Sequence, residues 1–286
     1  MRVLSPLRYP GGKGQVYPYV EYLVEINNIK TYIEPFAGGA TVALRLLLNK
    51  KVDKIMINDY DRAIFAFWYS VKYHSELLIE KIIETPITMT EWYKQKKIYL
   101  NRCNHENLVE LGFATLFLNR TNRSGILKAG VIGGKDQKGN YKMDCRFNKA
   151  SIIKRISDIS EYRNKMYIYN LDAEDFIKKS ISKTKSSFTF FDPPYYKKGP
   201  DLYTSFYSKC DHENLSKAIQ KHMSEKKWIL TYDVHKEIKM LYEDFDYHKY
   251  YLSYSINRPT KGIEYLFTSK GLKIGNANLL LNILKE

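Results

Sequence analysis

The chain has 286 residues, 44% hydrophobic and 27% charged, which excludes global disorder and allows one domain with a large insertion, or two domains. Lys and Arg total 46 against 31 Asp and Glu, a net charge of +15 that fits a polyanionic partner or simply a lysine-rich composition. Cys103, Cys145 and Cys210 form no CxxC pair, and no apolar run has signal-peptide or membrane-spanning length, so a soluble cytoplasmic protein without a disulfide framework is expected.

Elements in the first third alternate. Residues 31–34 predict a short strand, the turn Pro35-Phe36-Ala37-Gly38-Gly39 follows, and 40–49 has helical spacing. Residues 54–58 predict a second strand ending at Asp59, and helix resumes from Asp61. Strands alternating with helices predict a parallel α/β sheet. From 61 to 118 the pattern is helical, with Leu108, Leu111, Thr115 and Leu118 along one face. Residues 119–148 then read as a polar, glycine-dotted stretch, longer than an ordinary connection. Residues 120–155 hold ten Lys or Arg against two Asp or Glu, or +8. The last third returns to α/β, with strands at 166–170, 188–191 and 228–232, helices at 173–179 and 212–224, and a closing hairpin of 247–256 and 263–268. The expected organisation is a split α/β domain, 1–60 and 162–286, around a mainly helical insertion at 61–161.

Three motifs carry chemistry. Residues 34–40, EPFAGGA, lie between a strand and a helix, where glycines admit a close ligand at the carboxyl edge of the sheet. A Gly-Gly turn also serves as a plain connector. Asp59, at the end of the next strand, turns the reading towards a cofactor, because an acid there accepts both ribose hydroxyls of an adenosine group. No full GxGxxG is present, which disfavours a dinucleotide.

Asp192-Pro193-Pro194-Tyr195 follows the strand at 188–191. Two prolines end the strand and stiffen the backbone, aiming the Asp192 carboxylate and the Pro193 carbonyl above it. Two acceptors suit an amine with two N–H donors, and Tyr195 offers a face for an extruded base. A bare strand stop is the plainer alternative. Near the amino terminus, Gly11-Gly12-Lys13 makes Lys13 a candidate for a cofactor carboxylate or a phosphate, although surface Gly-Gly-Lys is common.

In this order RYPGGK, EPFAGGA, the Asn58-Asp59 pair and FFDPPYY resemble the Dam-like (D12 class) DNA adenine-N6 methyltransferases, from Leu7 to about Phe267. The resemblance implies a Rossmann-like S-adenosylmethionine-dependent methyltransferase sheet acting on double-stranded DNA. It implies cofactor contacts from Tyr9, Lys13, Asp59 and Asp192, with Glu34 and Gly38 close by. Tyr9 stands where many relatives have tryptophan, and Pro10 replaces a frequent alanine. The insertion corresponds to the family's target-recognition region, and LNRTNRSG at 118–125 is similar to the segment that enters the DNA groove. Arg120, Asn122 and Arg123 suit base edges, while Lys128, Lys135, Lys138 and Lys142 suit phosphates; a solvated basic loop is the alternative. Arg258, Lys261 and Glu264 echo a pattern before the last strand, or an ordinary hairpin turn.

Asp172, Glu174 and Asp175 follow a strand where an acid can face an adenine, or where helix N-terminal charge suffices. The six histidines show no ligand spacing, and methyl transfer from a sulfonium needs no metal. Methylation of RNA or of a protein amide, and a silent DNA-binding module, are the rival readings. The residues leave open the recognition site, the oligomeric state and whether a cognate restriction endonuclease accompanies the chain.

Overall fold

Thr31–Glu34 (β1) and Lys54–Asn58 (β2) are buried almost throughout and pair in parallel, with Thr31 opposite Lys54. They start the sheet of a computed structural model that describes residues 5–8, 13–196, 207–254, 260–276, 281 and 283–284. The other strands are Met166–Tyr169 (β3), Ser187–Phe191 (β4), Lys227–Asp233 (β5), Tyr247–Tyr254 (β6) and Thr260–Thr268 (β7). Together they form one seven-stranded sheet in the order β3-β2-β1-β4-β5-β7-β6. Strands β1 to β5 are parallel, and β7 runs antiparallel between β5 and β6. Strand order reverses between β1 and β4, which opens a crevice beyond their carboxyl ends, the place where ligands bind in such sheets.

Side chains alternate across the sheet with the strand period of two. Tyr32, Phe188, Phe190, Ile229 and Leu266 enter one core; Ile33, Phe191, Leu230 and Phe267 enter the other. Helices Tyr17–Ile26 (α1) and Thr41–Leu48 (α2) cover the first face. Helices Ala173–Lys179 (α8), Lys209–His222 (α9) and Lys236–Leu241 (α10) cover the second. The fold is therefore three-layered α/β, as the alternating pattern predicts.

Between β2 and β3 lie Arg62–Tyr73 (α3), Ser75–Glu84 (α4), Met89–Leu100 (α5), Leu108–Thr121 (α6) and Lys149–Ser160 (α7). Their core is continuous with that of the first face. Two features differ from the sequence reading. Every residue from Leu111 to Thr121 is buried, so α6 is enclosed on all sides rather than along one face, and it takes in Asn119, Arg120 and Thr121. Helix α7 also stands where no element was predicted, with Ile152, Ile156 and Ile159 inward.

Among the described residues, no helix is long and apolar enough to cross a membrane. Nor do three His, Cys, Asp or Glu side chains gather as a metal site.

Candidate active site and the inserted region

The carboxyl ends of β1 and β2 are stitched together by side chains that follow directly from their sequence positions. Asn58 donates Nδ2–H to the Pro35 and Leu171 carbonyls, both at 3.0 Å, and its Oδ1 accepts the Leu171 N–H at 2.9 Å. Asp59 accepts the Gly38 N–H at 2.9 Å on Oδ2 and the Asp61 N–H at 3.0 Å on Oδ1. Trp68 of α3 donates its indole N–H to the Gly38 carbonyl at 2.9 Å. Gly38 is thus held on both of its polar backbone groups.

No side chain of α2 caps its own N-terminus; Ala40, at φ +46°, turns the chain into it. Glu34 supplies the missing acceptor. Its Oε1 takes the Ala43 N–H at 3.1 Å and the Tyr32 hydroxyl at 3.0 Å. Burial pushes the Glu34 carboxyl up to about 8, opposed by these two hydrogen bonds and reinforced by the nearby charge of Asp192. Burial, with Asp61 adjacent, pushes Asp59 up to about 7 against two backbone N–H bonds.

Across the crevice, residues 192–196 leave β4 and are tied to the strands beyond. Asp192 Oδ1 accepts the Thr231 hydroxyl at 2.8 Å, and Asp233 Oδ1 accepts the Tyr196 N–H at 2.8 Å. The Tyr195 hydroxyl donates to Glu264 Oε1 at 2.5 Å, and the Tyr250 hydroxyl donates to Oε2 of the same carboxylate at 2.6 Å. Behind this corner His212 lies 2.6 Å by Nδ1 from the Tyr232 hydroxyl, and burial drops its pKa to about 4, which leaves it neutral. The diproline corner and the glycine turn therefore stand on the two strands that flank the reversal of the sheet.

The inserted helices meet the amino-terminal segment at the end of α6. Asn119, 1% exposed, accepts the Arg8 N–H at 2.7 Å and donates Nδ2–H to the Arg8 carbonyl at 2.7 Å and the Gly125 carbonyl at 2.8 Å. Arg120 donates to the Pro6 carbonyl and Arg155 to the Ser5 carbonyl, the latter at 3.0 Å. Gly125, at φ +77°, packs so closely on Arg8 that a Cβ there would lie 2.6 Å from the Arg8 carbonyl oxygen. Asn122 accepts the Trp92 indole N–H at 2.7 Å and donates to the Ile126 and Leu127 carbonyls.

A family model of the D12 class N6 adenine-specific DNA methyltransferases matches residues 9–256. The chain belongs to this family. Two curated relatives resemble the chain at lower identity. One is Type II methyltransferase M1.LlaDCHI of Lactococcus lactis subsp. cremoris, 27% identical over 73% of this chain and 70% of its own length. The other is Type II methyltransferase M.MjaIII of Methanocaldococcus jannaschii, 26% identical over 68% of this chain and 70% of its own. A solved rRNA methyltransferase from Streptomyces viridochromogenes covers 84% of this chain and 76% of its own at 10% identity and a TM-score of 0.31, too distant to carry an argument. This D12-class protein is an adenine-specific DNA methyltransferase.

Of the residues singled out in this D12-class sequence, Glu34, Gly38 and Asp59 come together at one end of the crevice, with Asp192, Pro193 and Tyr195 across from them. Tyr9 and Arg258 lie outside the described residues, and of Lys13 and Lys261 only the backbone is described.

Two expectations change, and one open alternative is decided. Arg120 and Asn122 do not present base-reading groups: both are buried, and their polar atoms serve the amino-terminal segment, Trp92 and the following turn. Tyr195, at 4% exposure, is a covered wall rather than an open face, and its hydroxyl is bonded to Glu264. Asp172 caps α8 through the Glu174 N–H at 2.8 Å, the helix-terminal role.

Arg123, Lys128, Lys135, Lys138 and Lys142 are exposed. Trp68, Asn119, Thr231 and Asp233 were missed as supports, since nothing local in sequence announces their partners.

Proposed function

We propose that the protein transfers the methyl group of S-adenosylmethionine to N6 of adenine in double-stranded DNA, with Asp192 and the Pro193 carbonyl orienting the target amine. The observation that carries this reading is the facing placement of Asp59 with its glycine turn and Asp192 with its diproline corner across the reversal of the sheet. The split α/β domain, 1–60 with 162–286, supplies the crevice, and 61–161 supplies the DNA-facing insertion.

The donor set fits an adenosine group. Each Asp59 oxygen takes a single backbone N–H among the described residues, so lone pairs remain for two ribose hydroxyls. Glu34 stabilises the turn beneath by capping α2, and the family resemblance adds Tyr9 and Lys13 to the expected cofactor contacts. When bound, S-adenosylmethionine supplies a methyl group activated by its sulfonium charge.

The chain's own part is placement. Asp192, steadied on Oδ1 by Thr231, and the Pro193 carbonyl accept the two N–H bonds of the amine and turn its lone pair into line. The amine proton becomes acidic only after attack, so no strong base is required. Stacking on Tyr195 needs the ring uncovered when the base swings out. Arg123 and Lys128, exposed on the basic turn, take the DNA contacts that the buried Arg120 and Asn122 do not. The names of the two type II relatives support a restriction-modification setting, in which a cognate restriction endonuclease cuts the unmethylated site.

Tritiated-methyl transfer to duplex DNA, RNA and protein in parallel tests the substrate. Label confined to duplex DNA, lost in Asp192→Ala while DNA binding persists, is the expected result. Label entering RNA or protein instead would refute it.

A further inference from the structure

We infer that Glu264 is a positioning residue for the catalytic corner, holding residues 192–195 in place through the hydroxyl of Tyr195; this rests on the role proposed above for that corner. Pro193 and Pro194 carry no N–H, so the middle of the corner has no backbone donor with which to anchor itself. Its ties fall to the residues on either side. Asp192 is bonded to Thr231 and Tyr196 to Asp233, both on β5. The Tyr195 tie reaches one strand further, to β7, where Glu264 stands opposite Asp233 in the register.

Glu264 is 0% exposed, and among the described residues its Oε1 accepts the Tyr195 hydroxyl at 2.5 Å and its Oε2 the Tyr250 hydroxyl at 2.6 Å. A carboxylate at that depth depends on its hydrogen bonds, so displacing the Tyr195 hydroxyl costs much more than at a wet surface. The acid thereby penalises alternative settings of the corner. Tyr250, on the neighbouring β6, fixes the other oxygen and so the carboxylate plane. Glu264 touches neither reacting atom; it acts through Tyr195.

The test measures methyl transfer from S-adenosylmethionine into unmethylated plasmid duplex DNA by Glu264→Gln, Tyr195→Phe, the double variant and Asp192→Ala. Tyr195→Phe breaks the same bond while keeping the ring and leaving the buried acid in place. Both single variants should lower kcat by about 10- to 100-fold with KM for donor and DNA within about 3-fold of wild type, and the double variant should be no worse than the poorer single. Thermal stabilisation by S-adenosylhomocysteine should match wild type in all three.

Wild-type kcat in both single variants, with Asp192→Ala inactive, overturns the inference alone. So do losses that multiply in the double variant, or a raised KM with kcat unchanged. Activity retained by Asp192→Ala overturns the reading of the corner itself.

Discussion

Asn119 bonds both backbone polar groups of Arg8, taking the N–H on Oδ1 and giving Nδ2–H to the carbonyl, each at 2.7 Å. The two residues are 111 positions apart, yet the bonds are those of a strand neighbour. Asn119→Ala leaves these groups and the Gly125 carbonyl unpaired in the interior and should cost about 2–4 kcal/mol. Asn119→Asp should be no better, because it sets an oxygen against two carbonyls. Urea denaturation reads both; an aspartate variant as stable as wild type would contradict the assignment.

Asn122, Arg123 and Lys128 sit within seven positions but should behave as two classes. Asn122→Ala breaks the bonds to Trp92 and the Leu127 carbonyl and should lower thermal stability. Arg123→Ala and Lys128→Ala, both at exposed positions, should change stability by under about 0.5 kcal/mol. Each should reduce the salt slope of DNA binding by about 1 if its contact is a phosphate. An unchanged slope and affinity in both would remove them from the interface.

Donor affinity should depend on pH through Asp59, whose pKa stands at about 7 because of burial and the neighbouring Asp61. The ionised form is the better acceptor for two ribose hydroxyls, so binding of S-adenosylhomocysteine should tighten as pH rises through that value. Calorimetric titration from pH 6 to 8 with wild type and Asp59→Asn measures it. The variant should bind weakly and without the pH step.

Glu34 links pH to the stability of the fold. Its pKa in the folded protein, about 8, lies above the ordinary 4.5, so the native state holds the proton more tightly than the unfolded chain. That stability is complete below the ordinary value and is lost as pH climbs through about 8. The melting temperature of the ligand-free protein should therefore fall over this window, and Glu34→Gln should flatten the decline. A decline unchanged in the variant would assign it to other groups.

Thr231→Val removes the hydroxyl that donates to Asp192 while keeping the buried shape of the side chain. A loss in kcat of about 10-fold is expected from the looser carboxylate, with donor affinity preserved. Single-turnover methylation separates the chemical step from release of product.

The strands were legible because each is a short apolar run bounded by polar or turn residues. Residues 31–34 and 54–58 match β1 and β2, and the run at 188–191 falls short of β4 by Ser187 alone. The position of the glycine turn, Asp59 and the diproline corner at strand ends was legible for a related reason: each directly follows one of these apolar runs. Arg120 and Asn122 misled because polarity suggests a surface, and a sequence does not show that a buried carbonyl awaits each donor. Tyr195 misled similarly, its partner being 69 positions away on β7. The helix at 149–160 escaped notice because only Ile152, Ile156 and Ile159 face inward among many polar neighbours.

The anchoring of residues 5–8 by Asn119, Arg120 and Arg155 also bears on how the polypeptide matures. These ties span separations of 111, 114 and 150 positions, so a nascent chain cannot settle residues 5–8 until synthesis has passed Arg155. Residues 5–8 are thus fixed late, together with the inserted helices, and not by the early β-α units alone.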